Sequence, residues 1–505
     1  MLKKTAALGL LLTSLFAGAI KAQDTGHPNY IVIQPSDTYS DIIGKAAQVT
    51  PSDRQLRWQQ LELTAFLHFG INTFTGQEWG DGTADPKIFN PARLDARQWV
   101  RTLKVAGFKQ VILTAKHHDG FCLWPSKFTA YSVKNSPWKN GSGDVVREVA
   151  DACKAYGMGF GIYLSPWDRH YPDYGDSAKY NAYFLELLSE LLTNYGRVDE
   201  VWFDGANGTG PNGKVPVYDW DAYYRLIRKL QPGAVIAVMG PDVRWVGTES
   251  GYGRKTEWSV LPADANMLKA TSDASQKDAV YAPAGDKSAE DLGGRALLLR
   301  AKGLVWSPAE TDVSIRPGWF YHPAQDSAVK SPAELMAIYF ASVGRNSVLL
   351  LNVPPDKDGL ISESDRKALR GWSAARKKLF AVNLARGASV SASNGKNANA
   401  ILDGNAKHYF IANPGDSSVS LTVKLRKAVS FDVLLLQENI KVGQRIEQFV
   451  LDYKDGRVWK QAAVGTTVGY KRLLRFPPVT ARFVRLRIIS SRRNPTVAAF
   501  GLYKD

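Results

Sequence analysis

Three observations predict an α/β fold, a (β/α)8-like barrel followed by an antiparallel β-sandwich. From about residue 61, short apolar β-rich runs alternate with longer amphipathic ones for about 300 residues, the pattern of parallel strands joined by helices. About eight such runs suit a closed barrel, and no Gly-rich phosphate fingerprint follows the first run as a doubly wound nucleotide-binding sheet would need. After residue 382 the helical period disappears, and short alternating runs separated by Gly, Asn and Asp take over. These shifts divide the chain into residues 1–22, 23–382 and 383–505.

Lys3 and Lys4 precede an apolar run from about Ala6 to Ile20, and small residues follow up to Ala22. This is the layout of a cleaved export signal, too short to span a membrane, with no Cys behind it to carry a lipid anchor. Export to a periplasm or the medium is expected, with no stable membrane insertion; residues 23–55 read as an extended lead-in.

The β-type runs are Leu63–Phe69, Gln110–Ala115, Phe160–Ser165, Glu200–Asp204, Ala234–Met239, Trp245–Glu249, Gly303–Ser307 and Ser347–Val353. Helix signals lie between them: Asp95 opens a run to Gly107, Asp144 one to Gly157 and Ser177 one to Gly196. A last helical segment covers Glu363–Phe380. In the sandwich the expected strands include Ser418–Lys424, Phe431–Leu436, Gln448–Tyr453 and Ala481–Ile489.

A hydrophobic fraction of 45%, with 14 Trp, 21 Tyr and 20 Phe, excludes a disordered chain. The net charge of +16 is unevenly spread. Residues 383–505 hold 20 Lys+Arg against 8 Asp+Glu, the first 22 residues hold +3, and the barrel region is left near +1. Nucleic acid is therefore no expected partner of the barrel, and the charge becomes a question about the sandwich. There, Arg485 and Arg487 share one strand face, and with Lys471, Arg472, Arg475, Arg482, Arg492 and Arg493 they form either a solvated surface or one that meets anionic glycan. Cys122 and Cys153 are the only cysteines, so no disulfide scaffold exists; one bridge or two buried thiols both fit, and no spacing suggests zinc.

Barrel chemistry gathers at the C-terminal ends of strands, where this sequence concentrates its polar residues. The first run closes in His68-Phe69-Gly70, followed by Glu78-Trp79, and the second in Lys116-His117-His118-Asp119-Gly120. The third contains Tyr163 and leads to Trp167-Asp168; the fourth is Val201-Trp202-Phe203-Asp204; the sixth ends in Thr248-Glu249. Asp204 closes a strand of Val, Trp and Phe, where a carboxylate is costly unless it has a task. Paired carboxylates framed by rings and imidazoles suit glycoside chemistry: rings stack on a sugar's apolar face, imidazoles bond its hydroxyls, and two carboxyls supply nucleophile and proton. Such a site needs no cofactor.

The segments HFGINTF, EWGDG, KHHDGF, GIYLS, VWFDG and LLLNVPPDKDG, in that order over about 320 residues, resemble glycoside hydrolase family 29, the α-L-fucosidases. The resemblance implies a retaining mechanism on fucosylated glycans. By motif match Asp204 becomes the nucleophile, and His68, Glu78, Trp79, His117, His118, Tyr163 and Trp202 line the fucose subsite. The stretch Arg244–Gly251 resembles the subgroup acting on α-1,3/1,4-fucosyl linkages, which makes Glu249 the acid/base, with Glu257 as the fallback. The block Glu310–Phe320, with Trp319, resembles the same subgroup and implies a wall toward the rest of the glycan. Residues from Asn383 onward resemble discoidin-like, coagulation-factor type C sandwiches, which implies either glycan binding or a packing role that braces the barrel. Two other classes compete. One is a metal-dependent barrel hydrolase using His68, His117, His118 and Asp204, although adjacent His117 and His118 would face opposite ways on a strand; the other is a catalytically silent glycan-binding protein.

Overall fold

The computed structural model describes residues 28–263, 291–405 and 407–505; the expected export signal lies outside them. Eight parallel strands form the barrel: β1 (Leu63–Leu67), β2 (Gln110–Lys116), β3 (Gly159–Leu164), β4 (Glu200–Phe203), β5 (Val235–Val238), β6 (Arg244–Trp245), β7 (Ala309–Ser314) and β8 (Ser347–Asn352). They run in the order β5-β4-β3-β2-β1-β8-β7-β6. The two end strands meet through one bridge between Ala237 and Val243, so the barrel is nearly closed. At that seam Val238 adopts φ 64°, a left-handed conformation that costs a β-branched residue energy.

Around the strands pack α1 (Ala96–Ala106), α2 (Val145–Tyr156), α3 (Ser177–Asn194), α4 (Trp220–Leu230), α5 (Pro332–Ala341) and α6 (Glu363–Leu379). Asp95 caps α1 by accepting from the Gln98 N–H at 2.9 Å, and Asp144 caps α2 through the Arg147 N–H at 2.8 Å. Gly107 and Gly157 end those helices in left-handed turns, as their positions predict. The cap of α3 is Asp176, one residue before the expected Ser177.

The seventh strand differs from expectation. Gly303–Trp306 pairs antiparallel with Tyr30–Val32 and Val260–Pro262 in a separate three-stranded sheet, while β7 follows it. Its Glu310, Thr311, Asp312 and Ser314 are all buried, so a strand that enters the barrel interior carries no apolar pattern by which to recognise it. Cys122 and Cys153 are both free and buried.

In the C-terminal sandwich, the expected runs at 418–424 and 431–436 are two halves of one long strand, Val419–Gln437. It pairs antiparallel with Arg472–Ser491, and the register shifts between Lys424 and Val429. Leu421, Phe431, Phe449, Leu451, Val484, Leu486 and Phe500 fill its core. The basic residues mostly have structural partners. Arg485 and Arg487 converge on Asp452 at 2.8 and 2.7 Å, Arg475 pairs with Asp505 at 2.6 Å, Lys471 pairs with Glu62 of the barrel, and Arg472 and Arg492 are buried. Leu473 donates its N–H to Gly344 O at 2.9 Å and Tyr470 to Asn346 Oδ1 at 2.7 Å, which binds the sandwich onto the barrel just before β8.

Arg316, just past β7, is fully buried and donates to Asp365 at 3.0 Å, Asp326 at 2.7 Å and Ser362 at 2.8 Å, tying β7 to the start of α6. Arg316→Ala strands the buried Asp365 carboxylate and should cost about 3–5 kcal/mol, read as a fall in the urea unfolding midpoint.

Candidate active site

The strand ends build one pocket, lined by Phe66, His68, Trp79, His117, His118, Tyr163, Trp202, Asp204, Trp245, Glu249, Asp312 and Trp319 among others. Strand β2 stops at Lys116, so His117 and His118 escape strand alternation and both rings turn into the pocket, centroids 4.1 Å apart. The turn that carries them is fixed on three sides. Lys116 and Asp168 form a buried ion pair at 3.1 Å, the Asp119 carboxylate accepts from the Phe121 N–H at 2.7 Å, and Gly120 has φ 89°. A Cβ on Gly120 would meet Asp168 Oδ1 at 2.4 Å, so only glycine fits there.

Hydrogen bonding sets which nitrogen of each imidazole carries the proton. His68 points Nδ1 at Asn352 Oδ1, 3.0 Å away, an oxygen that also accepts the His68 backbone N–H. His118 Nδ1 lies 2.7 Å from Ser165 Oγ, whose own proton goes to Trp167 O at 2.8 Å. Both rings are therefore Nδ1–H donors with Nε2 left as an acceptor. Burial holds them neutral, lowering His68 to about 3 and His118 to about 4. His117 Nδ1 is buried with no protein partner among the described residues, and its ring stacks on Tyr163 at 5.7 Å. Neutral imidazoles with open acceptors suit sugar hydroxyls, which donate.

The two carboxyls differ in surroundings. Asp204 accepts from the Tyr163 hydroxyl at 3.0 Å and the Ala206 N–H at 2.8 Å, with His118 Nε2 3.8 Å away. Glu249 is an exposed residue on the loop after β6, and its carboxyl accepts from Trp319 Nε1 at 3.2 Å. Loss of water around that carboxyl, reinforced by the charge on Asp204, raises it to about 7.

Of the other expected residues, Trp202 forms the floor, stacked on Tyr163 at 5.3 Å, its indole donating to the buried Glu310 at 2.8 Å. Trp79 is exposed at the rim, edge-on to His118 and Trp167. Glu78 stands behind the wall, where it accepts the backbone N–H groups of Trp319 at 2.8 Å and Phe320 at 3.3 Å. Trp319 closes the wall beside His68, centroids 4.9 Å apart. Glu257 is elsewhere: it is buried between Arg244 and Arg254 and lines no part of the pocket.

Sequence reasoning missed Asn352, Ser165 and Asp312. The first two close strands β8 and β3, so the strand-end rule that found the histidines would have found them; Asp312 is hidden in the unrecognised β7. No group of three or more His, Cys, Asp or Glu side chains among the described residues is arranged to hold a metal ion. A wider cleft of about 630 Å³ opens at the opposite end of the barrel, near the first residues of β2, β3 and β5, where barrels of this kind build stability rather than chemistry.

A parallel barrel with carboxyls, neutral imidazoles and indoles at its C-terminal face defines a sugar-processing hydrolase. Comparisons with known proteins make the class specific. Residues 54–374 match the α-L-fucosidase family and residues 386–500 the F5/8 type C domain. The chain is 44% identical to α-L-fucosidase 1 of Arabidopsis thaliana over 466 residues, covering 90% of this chain and 87% of that one. A solved structure from Bacteroides ovatus, classed with the α-L-fucosidases, shares 50% identity and a TM-score of 0.84 over 95% of this chain and 78% of its own. A Ruminococcus gnavus family 29 fucosidase solved with fucose shares 33% identity and a TM-score of 0.78 over 90% and 95%. The chain belongs to glycoside hydrolase family 29, the α-L-fucosidases, with a discoidin-like C-terminal domain.

Tyr163→Phe removes one of the two donors on Asp204. A hydrogen bond to a charged group is worth about 1.5–3 kcal/mol, so kcat/KM on an aryl α-L-fucoside should fall about ten- to hundredfold with the fold intact.

Proposed function

We propose that this enzyme is a retaining exo-α-L-fucosidase that removes terminal fucose, α-1,3/1,4-linked on branched Lewis-type glycans, through a covalent fucosyl-enzyme. The observation that carries the reading is the pair of carboxyls in one pocket: Asp204, which accepts from the Tyr163 hydroxyl and the Ala206 N–H, and Glu249, raised to about 7 where it keeps a proton. Asp204 attacks the anomeric carbon while the bond to the leaving oxygen breaks, and Glu249 gives that oxygen its proton. The Glu249 carboxylate then takes a proton from water, whose oxygen releases fucose from Asp204. His68, His117 and His118 orient the sugar hydroxyls, Trp202 and Tyr163 meet its apolar side, and Glu78 acts by holding the Trp319 wall. Preference for branched glycans is supported by likeness of the 244–251 and 310–320 segments to that subgroup and by Trp319 and Trp79 at the pocket mouth. Export follows from the pattern of residues 1–22, and a glycan is a fitting ligand for a discoidin-like domain. No described helix is long and apolar enough to cross a membrane.

Asp204→Asn should lower turnover by several orders of magnitude on every substrate. Glu249→Ala should cost far more on a fucosyl oligosaccharide than on an aryl fucoside, whose leaving group needs little protonation, and azide should restore part of the aryl rate. An equal loss on both would rule out Glu249 as the acid. The raised carboxyl is protonated below its pKa and empties above it, so kcat/KM should fall as pH rises past about 7, and that limb should vanish in Glu249→Ala. Hydrolysis of Lewis-type trisaccharides beside 2′-fucosyllactose decides the linkage preference; cleavage of the linear substrate alone would overturn it. Activity that survives a chelator excludes the metal-dependent reading, for which no observation speaks.

A further inference from the structure

The loop that carries Glu249 spans two domains. Its first half hangs from β7: Val246 N–H donates to Glu310 O at 2.9 Å, Gly251 N–H to Asp312 O at 3.1 Å, and Trp245 Nε1 to the Asp312 carboxyl at 2.8 Å. Its second half is gripped by the sandwich. Lys255 O accepts from Thr466 Oγ at 2.9 Å and from Arg472 at 2.7 Å, and Glu257 donates its N–H to Thr467 Oγ at 3.0 Å. Gln444 donates to Glu257 O at 3.0 Å and accepts the Ser259 N–H at 2.7 Å.

Two arginines join the halves. Arg254 donates to Val246 O at 2.7 Å, three residues from Glu249, while its backbone N–H meets the Glu257 carboxylate at 3.2 Å. Arg244 donates to the same carboxylate and to Trp258 O at 3.2 Å. Arg244, Arg254, Glu257, Gln444, Thr467 and Arg472 are all buried. Buried charge of this kind holds one geometry, because any displacement strands an ion. Force on Glu257 from the sandwich is thus passed to the backbone that aims Glu249.

We propose that the C-terminal sandwich forms the outer half of the mount for Glu249, with Thr467, Gln444 and Glu257 as positioning residues acting through Arg254 and Arg244. The proposal rests on Glu249 being the acid/base. It assigns the accessory domain a part in the chemical step, independent of any glycan that domain binds.

Thr467→Val in the full-length enzyme keeps shape and removes the hydroxyl that holds Glu257. Misplacing a proton donor matters only where the leaving group needs the proton, so kcat on a fucosyl trisaccharide should fall about tenfold, while kcat on 4-nitrophenyl α-L-fucoside changes less than about twofold. A parallel loss on both substrates, or no loss in a protein with an unchanged melting temperature, overturns the proposal. Thr466→Val, which removes one of the two donors on Lys255 O, is the second variant should Thr467→Val not fold, and is read the same way. Glu249→Ala separates the two ideas: if it discriminates between the substrates and the threonine variants do not, the mount fails alone; if it does not discriminate, the acid/base assignment fails first.

Discussion

Four carboxyl groups of this barrel accept hydrogen bonds from indoles. Trp58 donates to Glu200 at 3.0 Å, Trp202 to Glu310 at 2.8 Å, Trp245 to Asp312 at 2.8 Å and Trp319 to Glu249 at 3.2 Å. An indole N–H supplies one hydrogen bond and no charge, so it stabilises a buried carboxyl without forcing it to ionise. Burial raises Glu200 to about 8, and lifts Glu310 and Asp312 well above the usual carboxylate range. The same arrangement at the pocket mouth yields a Glu249 that holds its proton near neutrality. Asp204 and Glu257 have other partners: the first a hydroxyl and a backbone N–H, the second two guanidiniums. Burial beside an uncharged donor therefore leaves the four indole-bonded carboxyls above the ordinary range, and only Glu249 of the two candidate acids stands in the pocket, Glu257 being enclosed by arginines outside it.

The pairing of acids with indoles bears on what could be read from the chain beforehand. His68, His117, His118 and Asp204 follow apolar runs whose fold is unmistakable, and strand ends of a parallel barrel converge. The histidines' tautomers were not legible, because Asn352 and Ser165 that fix them lie on other strands, 284 and 47 residues away. The strand expected at Gly303–Ser307 lies outside the barrel, and β7 escaped notice because Glu310, Thr311, Asp312 and Ser314 give no apolar pattern and nothing in a local window announces the indoles that receive the acids. The alternation rule failed at His117-His118 for a local reason: Gly120 turns the chain as the strand stops.

The positive charge of the C-terminal region has a similar history. Counted on the sequence, 20 basic residues against 8 acidic ones look like a surface for an anion. In the fold, Arg485 and Arg487 close over Asp452, Arg472 and Arg492 are buried against barrel backbone, and Lys471 reaches Glu62. Carbonyl oxygens of the barrel accept several of these cations, so an excess of positive charge builds an interface without matching carboxylates. Arg482 and Arg493 remain exposed, as do Lys396, Lys424, Arg426, Lys427 and other basic residues of the domain, so solvent takes the rest of the charge.

Domain order and active-site design then become one problem. Between β5 and β6 there is no helix, and β6 is only two residues long, so the barrel's own ladder holds the Glu249 loop weakly. A loop that must keep an acid within reach of a leaving group needs rigidity from another source. The sandwich supplies it by filling Glu257's backbone groups with Thr467 and Gln444, at the seam where the barrel ring is least complete. With Glu249 as the proton donor proposed above, cutting the chain after α6 would strip Thr467 and Gln444 from Glu257 and with them the outer half of that donor's mount.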